Sequence, residues 1–331
     1  MATVAETENH TQAEMATASS DAPSRLRWPA LGLGPQEGPQ EAFLSTPADI
    51  AISGGSAGGG KTFALLLETT RHLHVPGFSA IIFRRTHPQI VAEGGLWDTS
   101  EGVYRHAGGY PVTGDLEWRF TEGTTVRFVH MQYEVDRYNW DSSQVPLICW
   151  DQLESFTWKQ FSYMLSRNRS MCGVKPYIRA TCNPNPDHFL REFLRWWIDD
   201  ATGYPIPERS GILRWFIMIG NEIIWADSPR ELRNRFGDAV LPKSVTFIPS
   251  TVEDNRILLE KNPEYLANLE ALPYVDRMRL RKGNWNIRDS AGTFFRRDWF
   301  GIVDAAPVCV EVVRYWDRAA TAKELASERG S

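Results

Sequence analysis

No stretch of this sequence stays apolar for the roughly 20 residues that a membrane helix needs, so a helical span is not expected anywhere in the 331 residues. Cysteine is scarce. The four present (Cys149, Cys172, Cys182, Cys309) form no C-x-x-C pair, which argues against a disulfide framework or a zinc site and for a reduced compartment. The seven histidines make no ligand-spaced cluster with them. Net charge is also small: Lys+Arg 36 against Asp+Glu 41 gives −5. Four of the acids (Glu6, Glu8, Glu14, Asp21) precede the first basic residue, Arg25, leaving the rest nearly neutral. Such a chain is not coated in positive charge, so any nucleic-acid contact is made by local patches. The start lacks the basic and apolar regions of a signal peptide. An intracellular, soluble protein with no membrane partner is the expectation.

What is present is a large core-forming inventory, 42% hydrophobic and 12% aromatic, enough for a large α/β domain and part of another. The most informative stretch is Gly55-Ser56-Ala57-Gly58-Gly59-Gly60-Lys61-Thr62, the G-x-x-x-x-G-K-T spacing of a phosphate-binding P-loop. Glycines let backbone N–H groups approach a polyphosphate. Lys61 reaches β- and γ-phosphates, and the Thr62 hydroxyl is suited to Mg²⁺. The apolar run Ile50-Ala51-Ile52 precedes the loop as a buried strand would, and the helix-forming run from Thr62 to Glu68 follows. That order aims a helix N-terminus at the anion. A flexible glycine linker would need neither neighbour.

Residues 1–27 have almost nothing to bury and read as a disordered tail. Gln40 lies in a short helical stretch (40–44) just before the first strand, where its amide could read an adenine edge or simply face solvent. Ala80-Ile81-Ile82-Phe83 reads as a second buried strand ending in Arg84-Arg85; arginines at a strand's carboxyl end lie on the ligand side of an open α/β sheet. Residues 116–120 and 125–129 alternate as a hairpin about Glu122-Gly123. The strand 145–150 ends in Asp151, about 90 residues after the P-loop, which suits the metal-holding Walker B acid. The plainer role for Asp151 is to cap a helix spanning 155–164. The next residue is Gln152, which cannot act as a base but can orient water; Glu154, two further on, could supply a carboxylate. The residues leave that choice open. Tyr177 to Asn183 forms another strand whose end carries Thr181 and Asn183, of a size to sense a γ-phosphate. Trp196 and Trp197 lie in an amphipathic helix at 191–198 and read as core or interface.

Further along, residues 213–219 and 222–225 form a second hairpin about Gly220-Asn221, and 244–248 a strand. Residues 264–282 read as a helix with Arg277, Arg279, Arg281 and Lys282 near its end, residues 284–297 as a linker. The expected organisation is a P-loop ATPase domain over 28–243, a lid and linker over 244–297 and a new domain begun at 298–331, whose first strand ends in Asp317.

These landmarks together resemble the large terminase subunit of tailed bacteriophages. They are Gln40, the P-loop, Phe83-Arg84-Arg85-Thr86, Trp150-Asp151-Gln152-Leu153-Glu154-Ser155-Phe156, Ser166-Arg167-Asn168-Arg169-Ser170, Thr181-Cys182-Asn183-Pro184, Lys282-Gly283-Asn284-Trp285 and Tyr315-Trp316-Asp317-Arg318-Ala319-Ala320-Thr321, in that order across roughly residues 36–321. The resemblance implies an α/β fold, a RecA-like, additional-strand P-loop NTPase with a mostly parallel sheet flanked by helices, followed by the truncated start of an RNase H-like nuclease. It implies ATP and Mg²⁺ as cofactors, and a motor that drives double-stranded DNA into a procapsid as a homo-oligomeric ring. The partners would be the small terminase subunit and the portal protein, in the host cytoplasm rather than the mature virion. Gln40 would contact adenine, Asp151 would be the Walker B acid, and Thr181 with Asn183 the coupling motif. Arg84 or Arg85 would be the charge-stabilising finger and Asp317 the first nuclease metal ligand. Gln152 departs from the family's usual catalytic glutamate, and the later nuclease carboxylates do not follow Asp317, so this chain is expected not to cut DNA. A helicase-like or DNA-repair ATPase and a non-hydrolysing ATP-binding assembly factor remain the rival readings of the same core.

Overall fold

The computed structural model describes Trp28, residues 32–220 and residues 222–288. Its strands are β1 (Ile50–Gly55), β2 (Ser79–Arg84), β3 (Tyr110–Val112), β4 (Glu117–Arg119), β5 (Thr125–His130), β6 (Leu147–Trp150), β7 (Tyr177–Cys182), β8 (Arg214–Ile219), β9 (Glu222–Ala226) and β10 (Lys243–Ser250). The helices are α1 (Pro39–Ser45), α2 (Lys61–Thr69), α3 (His87–Val91), α4 (Leu96–Tyr104), α5 (Trp158–Leu165), α6 (Phe189–Phe193), α7 (Pro229–Phe236), α8 (Arg256–Lys261), α9 (Glu264–Glu270) and α10 (Tyr274–Asp276).

All ten strands join one sheet in the order β3-β4-β5-β2-β6-β7-β1-β10-β8-β9. The six from β5 to β10 are parallel. The edges are antiparallel: β3 and β4 on one side, β8 and β9 on the other. Both hairpins and the mostly parallel α/β class expected from the sequence are therefore present.

The central strands read as continuous apolar runs because the sheet is covered on both faces. Alternation decides which face each side chain serves. Ala51, Ala80, Ile82 and Cys149 pack with α1, α2 and α4, in a core that holds Phe43, Leu65, Leu66 and Trp118. Ile50, Ile52, Ile81, Phe83, Ile148 and Trp150 pack with α5 and α6, in a core that holds Phe161, Phe193 and Trp197. Fully buried Leu, Phe and Trp side chains are worth about 1.5–3 kcal/mol each relative to exposure, so these two layers fix the sheet, and with it the strand ends.

Several local expectations need correcting. The helix expected over 155–164 begins at Trp158, capped by Thr157, whose hydroxyl accepts from Gln160 N at 3.2 Å; Asp151 is not its cap. The helix expected over 264–282 is broken at Pro273, which cannot donate to the helical ladder. It resumes as α10 and a π-helical turn, Arg277–Arg281. The expected lid boundary meets the sheet itself, since β10 pairs with β1 from Ile50↔Val245 to Gly55↔Ser250. The first residues of the expected linker are packed too: Trp285 is buried against Phe247, ring centroids 5.9 Å apart. The tail (1–27) and the domain start (298–331) lie outside the described residues.

Candidate functional site

The parallel strands β6, β7 and β1 are neighbours, so their carboxyl ends bring Asp151, Asn183 and the P-loop to one crevice. Open α/β sheets bind ligands there. β1 ends at Gly55, with φ at 141°, where an added Cβ would lie 2.1 Å from the Ser250 carbonyl oxygen of β10. Only glycine fits. Gly58 and Gly60 are left-handed, at φ 79° and 74°, and bend the loop so that consecutive N–H groups can line a concave nest. A Cβ on Gly60 would meet Gln40 Nε2 at 2.1 Å. Helix α2 starts at Lys61 with no side-chain cap, which leaves first-turn N–H groups and the positive dipole end for an anion.

The loop is anchored from several sides. Ser56 N donates to Ser250 O at 3.0 Å and Ala57 N to Leu280 O at 2.6 Å. Asn255 Nδ2 donates to Gly58 O at 2.7 Å and Gln40 Nε2 to Gly60 O at 3.3 Å. Gln36 completes this belt, its N–H donating to Gln40 Oε1 at 2.9 Å and its amide to Asn255 Oδ1 at 2.8 Å. Asn255, Gln36, Ser250 and Leu280 were not legible as site residues. Asn255 advertises itself locally only as the cap of α8, and nothing in its surroundings marks a partner 197 positions away.

Buried Lys61 donates to the Ser56 carbonyl and, at 3.2 Å, to Asn183 Oδ1. Burial holds its ammonium below the usual lysine range, against the opposing charges of the carboxylates Glu154 and Asp151. Asp151 is fully buried. Its Oδ1 accepts from Thr62 Oγ1 at 2.9 Å and from Thr181 Oγ1 at 2.7 Å, while Gln152 N donates to Thr181 Oγ1 at 3.0 Å. Arg84 Nε lies 2.9 Å from Asp151 Oδ2. That contact is an ion pair without hydrogen-bond alignment, since both atoms lack an aligned partner.

Glu154 sits in the turn Leu153–Ser155 and its Oε1 accepts from Asn183 Nδ2 at 2.8 Å. Burial raises this carboxyl above its ordinary range, opposed by hydrogen bonds at Asn183 and by the charge of Lys61. The structure thus gathers Gln40, the loop 55–60, Lys61, Thr62, Arg84, Asp151, Gln152, Glu154, Thr181 and Asn183. It does not gather Arg85, which donates to Gln160 Oε1 at 3.0 Å and to Met131 O at 3.3 Å. β2 ends at Arg84 and Arg85 lies in the bend just past it, which separates the two arginines. Asp317 lies outside the described residues.

A hydroxyl and a carboxylate meeting at 2.9 Å fit Mg²⁺, which takes one or two carboxylates and completes its shell with water and substrate phosphates. The proximity of Arg84 fits as well, since the Asp151 carboxylate already faces a cation. Among the described residues no group of three or more His, Cys, Asp or Glu could hold a metal ion, so a metal centre built from protein ligands alone is not what this crevice offers. No described helix is long and apolar enough to cross a membrane. One cleft of about 580 Å³ lies elsewhere, lined in part by Trp196, Trp225, Arg209 and Arg214. There Trp196 is half-buried beneath the two guanidiniums, 4.7 and 5.1 Å from its ring, while Trp197 is core.

Comparison with known proteins bears on the family and the fold. Residues 52–302 match the family model described as the large terminase subunit, T4likevirus-type, N-terminal. The large terminase ATPase domain of Thermus phage P74-26 superposes with a TM-score of 0.51 at 13% identity, covering 80% of this chain and 98% of that one. The large terminase of the thermophilic bacteriophage D6E gives 0.49 at 12% identity, over 76% of this chain and 54% of that one. At such identities the first likeness speaks for the fold. No curated protein matches in sequence.

Proposed function

The chain belongs to the large terminase subunit family, and from that premise we propose that its crevice binds and hydrolyses ATP to drive double-stranded DNA into a procapsid. The observation that carries the reading is the meeting of the P-loop and the Asp151 strand end: Thr62 Oγ1 and Asp151 Oδ1 are 2.9 Å apart although 89 positions separate them in sequence.

The nest from Ala57 to Gly60 and the start of α2 would hold the phosphates through backbone N–H groups. Lys61 would neutralise charge on the β- and γ-oxygens. Thr62 and Asp151 would hold Mg²⁺, which when bound neutralises charge developing on those oxygens. Of the two candidate arginines, Arg84 is favoured as the charge-stabilising one by its place beside Asp151. Gln40 is proposed for the adenine side because it bonds the Gly60 carbonyl. Thr181 touches Asp151, and Asn183 joins Lys61 to Glu154, so both stand where loss of a γ-phosphate would be felt. The small subunit, the portal and a ring of identical copies are proposed as partners. Asp317 is proposed as a nuclease metal ligand. The 28–243, 244–297 and 298–331 divisions are kept as functional regions, with β10 contributed to the sheet by the second.

Lys61→Ala tests the site. Phosphate release is expected to fall by about 100-fold or more, the loss typical of one preorganised transition-state donor, with the thermal midpoint retained. Release equal to the parent's removes the site assignment. DNA-dependent stimulation on blunt duplex without strand separation would distinguish a packaging motor from a helicase.

A further inference from the structure

We propose that Glu154 is the general base of this site, taking the proton of the attacking water in place of the residue that directly follows Asp151. The inference rests on the ATPase reading. Gln152 is an amide with no capacity to accept a proton at neutral pH. Its backbone is left-handed, at φ 61°, and its N–H is tied to Thr181 Oγ1 at 3.0 Å. The chain then turns through Leu153–Ser155 and presents a carboxylate two positions later.

That carboxylate has one oxygen held and one free. Oε1 accepts from Asn183 Nδ2 at 2.8 Å. Oε2 is out of solvent contact and has no hydrogen-bond partner, an arrangement that costs stability unless something else compensates. The other end of the same Asn183 amide, Oδ1, accepts from Lys61 Nζ at 3.2 Å. One rigid amide therefore spans the lysine that would grip the phosphates and the acid left with an open lone pair. The three residues come from the carboxyl ends of the neighbouring strands β1, β6 and β7. A buried carboxylate with a raised proton affinity is the kind of group that serves as a base near neutral pH, and burial moves Glu154 in that direction.

The step balances. The water oxygen forms a bond to Pγ, and the bond from Pγ to the β,γ-bridging oxygen breaks with its electron pair leaving on ADP. The water proton passes to Glu154 Oε2, which later releases it to solvent, so ATP and water give ADP, phosphate and one proton.

The competing role is positioning: Glu154 could do no more than hold Asn183. Glu154→Gln separates the two, because its side-chain carbonyl still accepts from Asn183 while it cannot take a proton. We expect single-turnover phosphate release by Glu154→Gln to fall about 100-fold or more, the range of general-base contributions. Affinity for a fluorescent ATPγS analogue with Mg²⁺ should stay within about threefold of the parent. Gln152→Glu, measured alongside, should not exceed the parent. Release by Glu154→Gln within threefold of the parent overturns the proposal, as does a tenfold or greater gain in Gln152→Glu, which stands whether or not the first variant folds. A parent with no Lys61-dependent release removes the ATPase reading, and the base with it. A parent that turns over beside an equally active Glu154→Gln removes the base alone.

Discussion

The Ala57 N–H donates to the Leu280 carbonyl at 2.6 Å, joining the P-loop to the π-helical turn of Arg277–Arg281. A backbone amide in a phosphate nest is thereby engaged by a segment 223 positions away in sequence, and Gly283 follows close behind, its ideal Cβ 3.5 Å from Ser56 N. π-Helical turns are rare and occur frequently at functional sites. A triphosphate in the nest competes with Leu280 for that amide. Amide hydrogen exchange should therefore rise over residues 277–283 when ATPγS and Mg²⁺ are added, while exchange in the loop itself falls. Equal or slower exchange of 277–283 with nucleotide would show that the two are not in competition.

Arg84 and Asp151 give a second expectation. Asp151 is fully buried, and among the described residues its Oδ2 has no aligned hydrogen-bond partner and pairs with the Arg84 guanidinium. Removing one partner of a buried pair leaves an uncompensated charge, at a cost of about 3–5 kcal/mol; the poor alignment here puts the expected loss for Arg84→Ala at the low end, about 3 kcal/mol. Mg²⁺ with nucleotide brings another cation to the same carboxylate. The thermal midpoint of Arg84→Ala should therefore drop without nucleotide and recover with it by more than the parent gains. Arg85→Ala, which loses bonds only to Gln160 and Met131, should show no such differential recovery. An equal gain for Arg84→Ala and the parent refutes this account.

How much of this could be seen in the sequence follows from what each feature depends on. The P-loop was legible because its chemistry is contiguous: glycines, lysine and threonine act within eight positions. Strands β1, β2, β6 and β7 were legible as apolar runs because both faces of the sheet are covered. Thr181 and Asn183 followed from their place at a strand's carboxyl end. What escaped was everything set by pairing at long range. Residues 244–248 were legible as a strand, but 244–297 looked like a lid because the strand's partner, β1, lies about 195 positions earlier. Asn255 and Leu280 reach the loop for the same reason, through backbone and amide contacts that carry no motif. The choice between Arg84 and Arg85 needed the point at which the strand ends, which two adjacent letters cannot supply. Pro273 is different: the break was written in the sequence, and a long run of helix formers around it hid the one residue that cannot stay in a helix interior.

The opposite side of the sheet offers a pH-dependent test of the fold. His72 packs edge-on against Phe78 and Tyr177, ring centroids 5.3 and 5.9 Å away. Burial first, and then the charge of Arg71, lower its pKa from 6.5 to about 4, with His74 and Arg179 acting in the same direction and Glu68 against it. The unfolded chain therefore takes up this proton as pH falls through 6.5, while the folded chain resists until about 4. Between those values the unfolded state binds more protons, so stability falls with falling pH and the loss levels off below the folded value. His72 remains partly open to solvent, so the shift is discounted to about 1–2 kcal/mol lost between pH 7 and pH 5. His72→Phe keeps an aromatic ring among aromatic neighbours and removes the titration. Urea unfolding at the two pH values should show the parent losing about 1–2 kcal/mol more than the variant, and identical losses would mean that His72 is protonated as readily in the folded protein as in the unfolded chain.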